Sequence, residues 1–248
     1  MFYSDPWFWR FSVTSLAISI AAFLLFALPW TFVAWRDPEA LRMYRIQGKR
    51  LDARRWLLPS LGRIAINSSL LFVVLAAGWP LLKLVPIHEG AIPAWYIVIG
   101  QLLLFTFFDD FLYYWMHRAF HTKLLYKYVH SVHHRPVTPV AITGNYFHFL
   151  EFAATTGLML LGPMLIGAHI YVVWIWIVFR QWQAADGHTG YDLPLNPGKV
   201  FWGLYKGPRY HDFHHKKFTG NYAGFMGYAD RFFGTYSEGY RRGNSASE

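Results

Sequence analysis

Twelve histidines stand in a chain of 248 residues that has no cysteine, and nine of them fall into four short groups. HRAFH places His117 and His121 four residues apart; on a helix that separation turns about 400°, so both imidazoles face the same way. HSVHH sets His130, His133 and His134 at i, i+3 and i+4, HDFHH repeats the spacing with His211, His214 and His215, and GHTGYD contributes His188. Each box offers two or three nitrogen donors from one helical face, the pattern that metal binding requires. The missing cysteines exclude disulfides, thiolate zinc sites, iron–sulfur clusters and thiolate-ligated haem, so any metal is held by nitrogen or oxygen. Eight box histidines, or nine with His188, exceed the about four to six ligands of a single ion, which implies two metals.

Carboxylates near the boxes are expected to orient these imidazoles from behind, fixing the tautomer and raising ring basicity. Asp110, Tyr114, His117 and His121 form one helical stripe, Asp212 sits inside the third box, Asp192 lies four residues past His188, and Glu151 neighbours His148. No catalytic side chain beyond the ligands is expected. His148 either completes the ligand set or supports it from behind. His88 and His169 read as hydrogen-bonded interior or interfacial residues, and Asp109 as a charge closing an apolar stretch.

The elements that must position these groups are oily. Hydrophobic residues make up 54% and aromatic residues 20% of the chain, while 15% are charged, against roughly 25% in soluble domains; mean hydropathy is +0.20. Residues 11–35, 64–82 and 90–108 are each long enough to cross a hydrocarbon core as a helix, and the first is too long and too weakly basic at its N-terminal flank to be a cleaved signal peptide. Residues 36–63 carry Arg36, Arg42, Arg45, Lys49, Arg50, Arg54, Arg55 and Arg63 against Asp37, Glu39 and Asp52, which makes that loop cytoplasmic by the positive-inside rule. From 138 to 179 the chain is again apolar, and Gly162-Pro163 predicts the turn of a membrane hairpin that returns to the side it entered. The expectation is an all-α polytopic membrane protein of four to five transmembrane or half-membrane helices, with a cytoplasmic helical cap holding a histidine-rich dimetal site. Residues 1–108 supply the N-terminal helices and 109–248 the histidine-bearing domain; Gly243 to Glu248 read as disordered. The net charge of +9 then reports topology and attraction to anionic lipid, not a nucleic-acid partner.

Imidazole suits zinc, copper, nickel and iron alike. Ligands at the cytoplasmic mouth of a buried apolar cavity favour an iron pair that activates O2 against an unreactive C–H bond, with zinc able to replace iron in purified protein. The boxes, their order and the text around them (DDFLYYWMHRAFH, YKYVHSVHH, NYFHFLE, HTGYDLPLNP and YHDFHHKKFTGNYAGFMGYADRFFGT) resemble the fatty acid hydroxylase/sterol desaturase superfamily of membrane di-iron oxygenases, over roughly residues 109–236. Within it the text is most similar to C4-methylsterol oxidases, although the usual His-Pro before the glutamate is here His148-Phe149. The resemblance implies oxidation of a sterol C4-methyl group using two iron ions, O2 as cosubstrate and two external electrons, with an apolar substrate entering from the bilayer.

No GxGxxG follows a plausible strand, so electrons are expected from a partner, cytochrome b5 or a ferredoxin with its reductase, docking on a basic cytoplasmic face. The runner-up activities are a fatty-acyl or other lipid hydroxylase, a sterol desaturase and an aldehyde-removing relative; outside the enzyme class stand a metal transporter and a non-catalytic lipid binder. RRGNSASE lacks a dilysine retrieval signal, which leans toward a bacterial inner membrane over the endoplasmic reticulum.

Overall fold

A computed structural model describes residues 2–200 and 203–237; the segment expected to be disordered, Gly243 to Glu248, lies outside them. Among the described residues there is no strand. A π-helical turn at Phe8–Val13 runs into α1 (Thr14–Arg36). There follow α2 (Glu39–Arg42), α3 (Ala53–Leu82), α4 (Trp95–Phe120), α5 (Lys123–Tyr128), α6 (Phe149–Ile166), α7 (Ile170–Gly187), α8 (Pro197–Val200), α9 (Gly207–Lys217) and α10 (Tyr228–Phe232). Among the described residues, four helices are long and apolar enough to cross a membrane: Phe8–Arg36, Ala53–Leu82, Trp95–Phe120 and Phe149–Ile166. Only 17% to 33% of each one's most apolar window is buried inside the protein. The remaining apolar surface, including Leu25, Val73 and Leu103, therefore needs lipid as its solvent.

The bundle is organised around α7, which packs on α1 and α4, while α6 packs against α4 and α3. Trp176 of α7 is fully buried among Phe105, Met159 and Phe225. Two of the expected spans are longer than hydropathy suggests. α3 begins at Ala53 because Asp52 caps it, accepting the Arg55 N–H, and its basic first turns lean on aromatic rings, with Arg54 over Trp35 and Arg63 over Tyr146. α4 does not stop at Asp109: it continues to Phe120, and both Asp109 and Asp110 are buried. Asp109 is paired there with Arg180 of α7 at 3.1 Å, which removes any need for it to reach the headgroups.

The turn expected at Gly162-Pro163 lies elsewhere. Pro163 lies within α6, and the chain reverses at Gly167, whose positive φ ends the helix. A proline inside a helix leaves the carbonyl four residues earlier without its donor. Here that carbonyl, Met159 O, accepts the indole N–H of Trp176 at 2.8 Å, so the helix runs through. His88 and His169 meet at this turn, where Ile170 N donates to His88 O and His169 bonds Gly90 O, at the end of α7 remote from His188.

Candidate metal centre

α4 carries His117 and ends on His121; a 3-10 turn holds His130, with His133 and His134 just beyond it; His188 closes α7; and α9 carries His211, His214 and His215. These nine side chains converge as two groups. One is His117, His121, His130, His134 and His214, the other His133, His188, His211 and His215, and within each group every ligand atom lies within 4.8 Å of the others. The boxes do not each present a single face to a single ion. In both HxxHH boxes the i and i+4 residues enter one group and the i+3 residue enters the other, and the second box sends its pair where the third sends its single histidine. His148 belongs to neither group; its Nδ1 accepts the Leu150 N–H at 3.2 Å and caps α6.

The proton positions follow from what lies behind the rings. His117 Nδ1 donates to Tyr222 O (2.8 Å), His214 Nδ1 to Gly220 O (2.7 Å) and His188 Nδ1 to Ala184 O (2.8 Å), while His130 Nδ1 donates to Glu151 Oε1 at 2.6 Å. A neutral imidazole has a single N–H, so the Nε2 atoms of these rings carry lone pairs. Yet His117 and His130, both with Nδ1 engaged, bring their Nε2 lone pairs to within 3.1 Å of each other, and the Nε2 atoms of His130 and His134 (3.0 Å), His214 and His134 (3.1 Å) and His211 and His188 (3.1 Å) lie as close. Two facing lone pairs at that distance repel unless an electron-pair acceptor lies between them. Nitrogens about 2.1 Å from a common ion lie about 3.0 Å apart at right angles and about 3.4 Å apart at tetrahedral angles, and the observed spacings match. Protons do not substitute for the ion: burial and neighbouring imidazoles push His134, His211, His214 and His215 well below the usual imidazole range, and burial takes His188 down to about 4. The donor set therefore fits two metal ions.

The support behind the rings differs in part from the sequence expectation. Glu151 is placed as expected, but Asp110 and Asp192 do not orient histidines. Asp110, two turns from His117, accepts the backbone N–H groups of Phe225 (2.5 Å) and Met226 (3.3 Å), and Asp192 pairs with Lys199 and Arg209. Asp212, buried in the third box, accepts from Gln47 Nε2 at 3.0 Å.

Spacing gave no sign of the backbone carbonyls of Gly220, Tyr222 and Ala184, nor of what holds them. Asp230 accepts from Tyr222 N, Ala223 N, Thr235 Oγ1 and the Tyr210 hydroxyl, fixing the 220–223 segment behind His117 and His214. Gln47, in the first loop, also donates to Val137 O and accepts from Thr138 Oγ1, tying the second box to the third. Gly144 lies so close to α7 that a Cβ there would meet Ala184 O at 2.5 Å, so the 3-10 turn before α6 tolerates no side chain at that position.

A pocket opens beside His188 and His211, lined also by Asn145, Gln181 and Arg180. Phe152, Thr156 and Met159 line both this pocket and a second, apolar chamber among α1, α3, α6 and α7. The two cavities thus lie on either side of these three residues.

With this geometry in view, the chain was compared with known proteins. Residues 102–235 match the model of the fatty acid hydroxylase family. A very-long-chain aldehyde decarbonylase of Oryza sativa subsp. indica is 37% identical over 179 residues, 71% of this chain and 66% of the relative. The methylsterol monooxygenase 2-2 of Arabidopsis thaliana is 32% identical over 234 residues, 93% of this chain and 86% of the relative, and the methylsterol monooxygenase 1 of Gallus gallus is 37% identical over 154 residues, 62% and 52% of the two chains. The matches thus span just under two thirds of the length of the rice relatives, 66% and 59% for two of them. No solved structure matches.

Proposed function

The chain belongs to the fatty acid hydroxylase family, and on that premise we propose that it is a membrane non-haem di-iron monooxygenase that oxidises an unactivated C–H bond of a lipid, a C4-methyl group of a sterol. The observation that carries this reading is the pair of all-imidazole groups beside a pocket that shares Phe152, Thr156 and Met159 with an apolar chamber in the bundle. The nine histidines are assigned as ligands of two irons, five on one and four on the other. Bound there, the irons supply the activation of O2, with two external electrons, that an unactivated C–H bond demands.

The protein's part is placement. His117, His130, His188 and His214 hold their Nε2 lone pairs inward because their Nδ1 protons are engaged. The groups themselves are all imidazole, with the carboxylate Glu151 behind His130, so the ligand set adds no negative charge to offset that of the metal, which favours a strong oxidant. Met159, Thr156 and Phe152 form the neck through which the substrate body reaches the pocket. Residues 36–63 put the histidines on the cytoplasmic side, where an acidic one-electron carrier such as cytochrome b5 or a ferredoxin reaches them.

The test is purified protein in nanodiscs, loaded with iron and given reductant, an electron carrier and a 4-methylsterol. About two irons per chain, O2 consumption and successive alcohol, aldehyde and acid at the C4 substituent are expected. Zinc flux in liposomes without O2 uptake would sink the proposal. The activity for which the rice relatives are named supports a second reading, removal of an aldehyde group from a long-chain lipid, and the same preparation fed an aldehyde decides between them by its products.

A further inference from the structure

We propose that Asn145, Gln181 and Ser19 form a receptor for one uncharged hydroxyl carried next to the reacting carbon of an amphipathic lipid; this rests on the oxygenase reading of the site. Asn145 Nδ2 donates to Gln181 Oε1 at 3.0 Å, and Gln181 Nε2 donates to Ser19 Oγ at 2.7 Å. Asn145 and Gln181 are each 9% exposed and line the pocket beside His188 and His211, whereas Ser19 lines the apolar chamber. The chain of bonds therefore crosses the seam between the two cavities. It leaves Asn145 Oδ1 without a partner among the described residues, together with unspent amide hydrogens. An amide facing the pocket in that condition is matched by a ligand group that both donates and accepts.

The charges around the pocket specify which group. Arg180 is its one cationic lining residue, and its guanidinium already lies 3.1 Å from Asp109 and donates to Gln183 Oε1. Among the described lining residues, an anionic group would have to share Arg180 with Asp109. What remains is amide and hydroxyl polarity, which suits a neutral alcohol. Beyond the seam the lining turns apolar, with Leu71, Leu75, Leu160 and Met164, so the hydroxyl lies at the histidine end and the hydrocarbon body in the bundle. A 4-methylsterol has this layout, since its hydroxyl-bearing carbon adjoins the carbon that carries the methyl group. A site built to bond a hydroxyl rejects the analogue that lacks it, because its own polar atoms are then buried unpaired.

The probes are 4α-methylcholestan-3β-ol and its deoxy analogue 4α-methylcholestane, with binding measured by competition on the metal-loaded full chain in nanodiscs. The alcohol is expected to bind about ten-fold more tightly, the effect of one neutral buried hydrogen bond. Asn145→Leu and Gln181→Leu are each expected to shrink that ratio to about two-fold or less, with bound metal unchanged. Equal affinities in the unmodified protein, or a ratio preserved in both variants, would overturn the proposal; the first arm needs no variant to fold. If the alcohol is preferred but no sterol is oxidised, the receptor stands and the activity falls; if both sterols are oxidised equally well, the reverse holds.

Discussion

Glu151→Gln is the sharpest perturbation of the metal centre that leaves every ligand in place. Glu151 Oε1 lies 2.6 Å from His130 Nδ1, with the two side chains 3% and 0% exposed, so water screens the pair hardly at all. Glutamine preserves the shape and the accepting oxygen and removes only the charge. The bond changes from charge-assisted to neutral, a loss of about 1 to 2 kcal/mol, and His130 becomes a weaker base toward its metal. Carboxylate partners of ligating histidines typically contribute 10- to 100-fold in metal affinity, and the energy above corresponds to about 5- to 30-fold. The effect should fall on the five-histidine group that contains His130 and spare the other. Metal retained after dialysis against graded chelator, read by elemental mass spectrometry, should therefore show one of two ions released about ten-fold more readily, with the helical circular dichroism unchanged. Equal release of both ions, or no change, would refute the argument that Glu151 acts through His130.

Three further outcomes are expected. His133→Ala should lower metal content from about two ions to about one by emptying the four-histidine group, and His134→Ala should do so by emptying the other; loss of both ions from either variant would show that the boxes are not divided as described. Trp176→Phe removes the donor to Met159 O and should cost about 1 to 3 kcal/mol, seen as a lower Tm, and adding Pro163→Ala, which returns a backbone N–H to that carbonyl, should recover part of it in a double-mutant cycle; strict additivity would refute the replacement. In metal-free protein His188 titrates at about 4, against about 6.5 in an unfolded chain. Between those values the unfolded state binds more protons, so stability must fall as pH falls from about 6.5 toward 4 and then level off for this group; a Tm independent of pH over that window would contradict it.

The convergence of nine histidines was legible because their helical spacing is written in the chain. Their division into two groups was not. In both HxxHH boxes the i+3 ring parts from the i and i+4 rings, on the 3-10 turn of the second box and on the regular helix α9 of the third alike, so a wheel that puts all three on one face does not show which group each one enters. The spans were legible from apolar length, but their ends were set by partners far along the chain. Arg180 allows α4 to pass Asp109, and Trp176 allows α6 to pass Pro163. Asp110 illustrates the remaining gap: its position on the ligand stripe suggested a histidine partner, whereas its hydrogen bonds go to Phe225 and Met226. Those are backbone atoms more than a hundred residues away, and sequence spacing has no term for them.

The clamp around Asp230 bears on the order in which the protein is made. The ribosome delivers α4 and the first two boxes well before α9, and the 220–223 segment that locks His117 and His214 comes after all three boxes. An emerging chain thus has its membrane helices and half of its imidazoles in place while the carbonyls that set their tautomers are still missing. Metal captured at that stage would meet rings free to turn and bind through either nitrogen. Asp230 holds Tyr222 and Ala223 in position, so the orientation of His117, set by Tyr222 O, depends on a segment that is among the last of the described chain to be made.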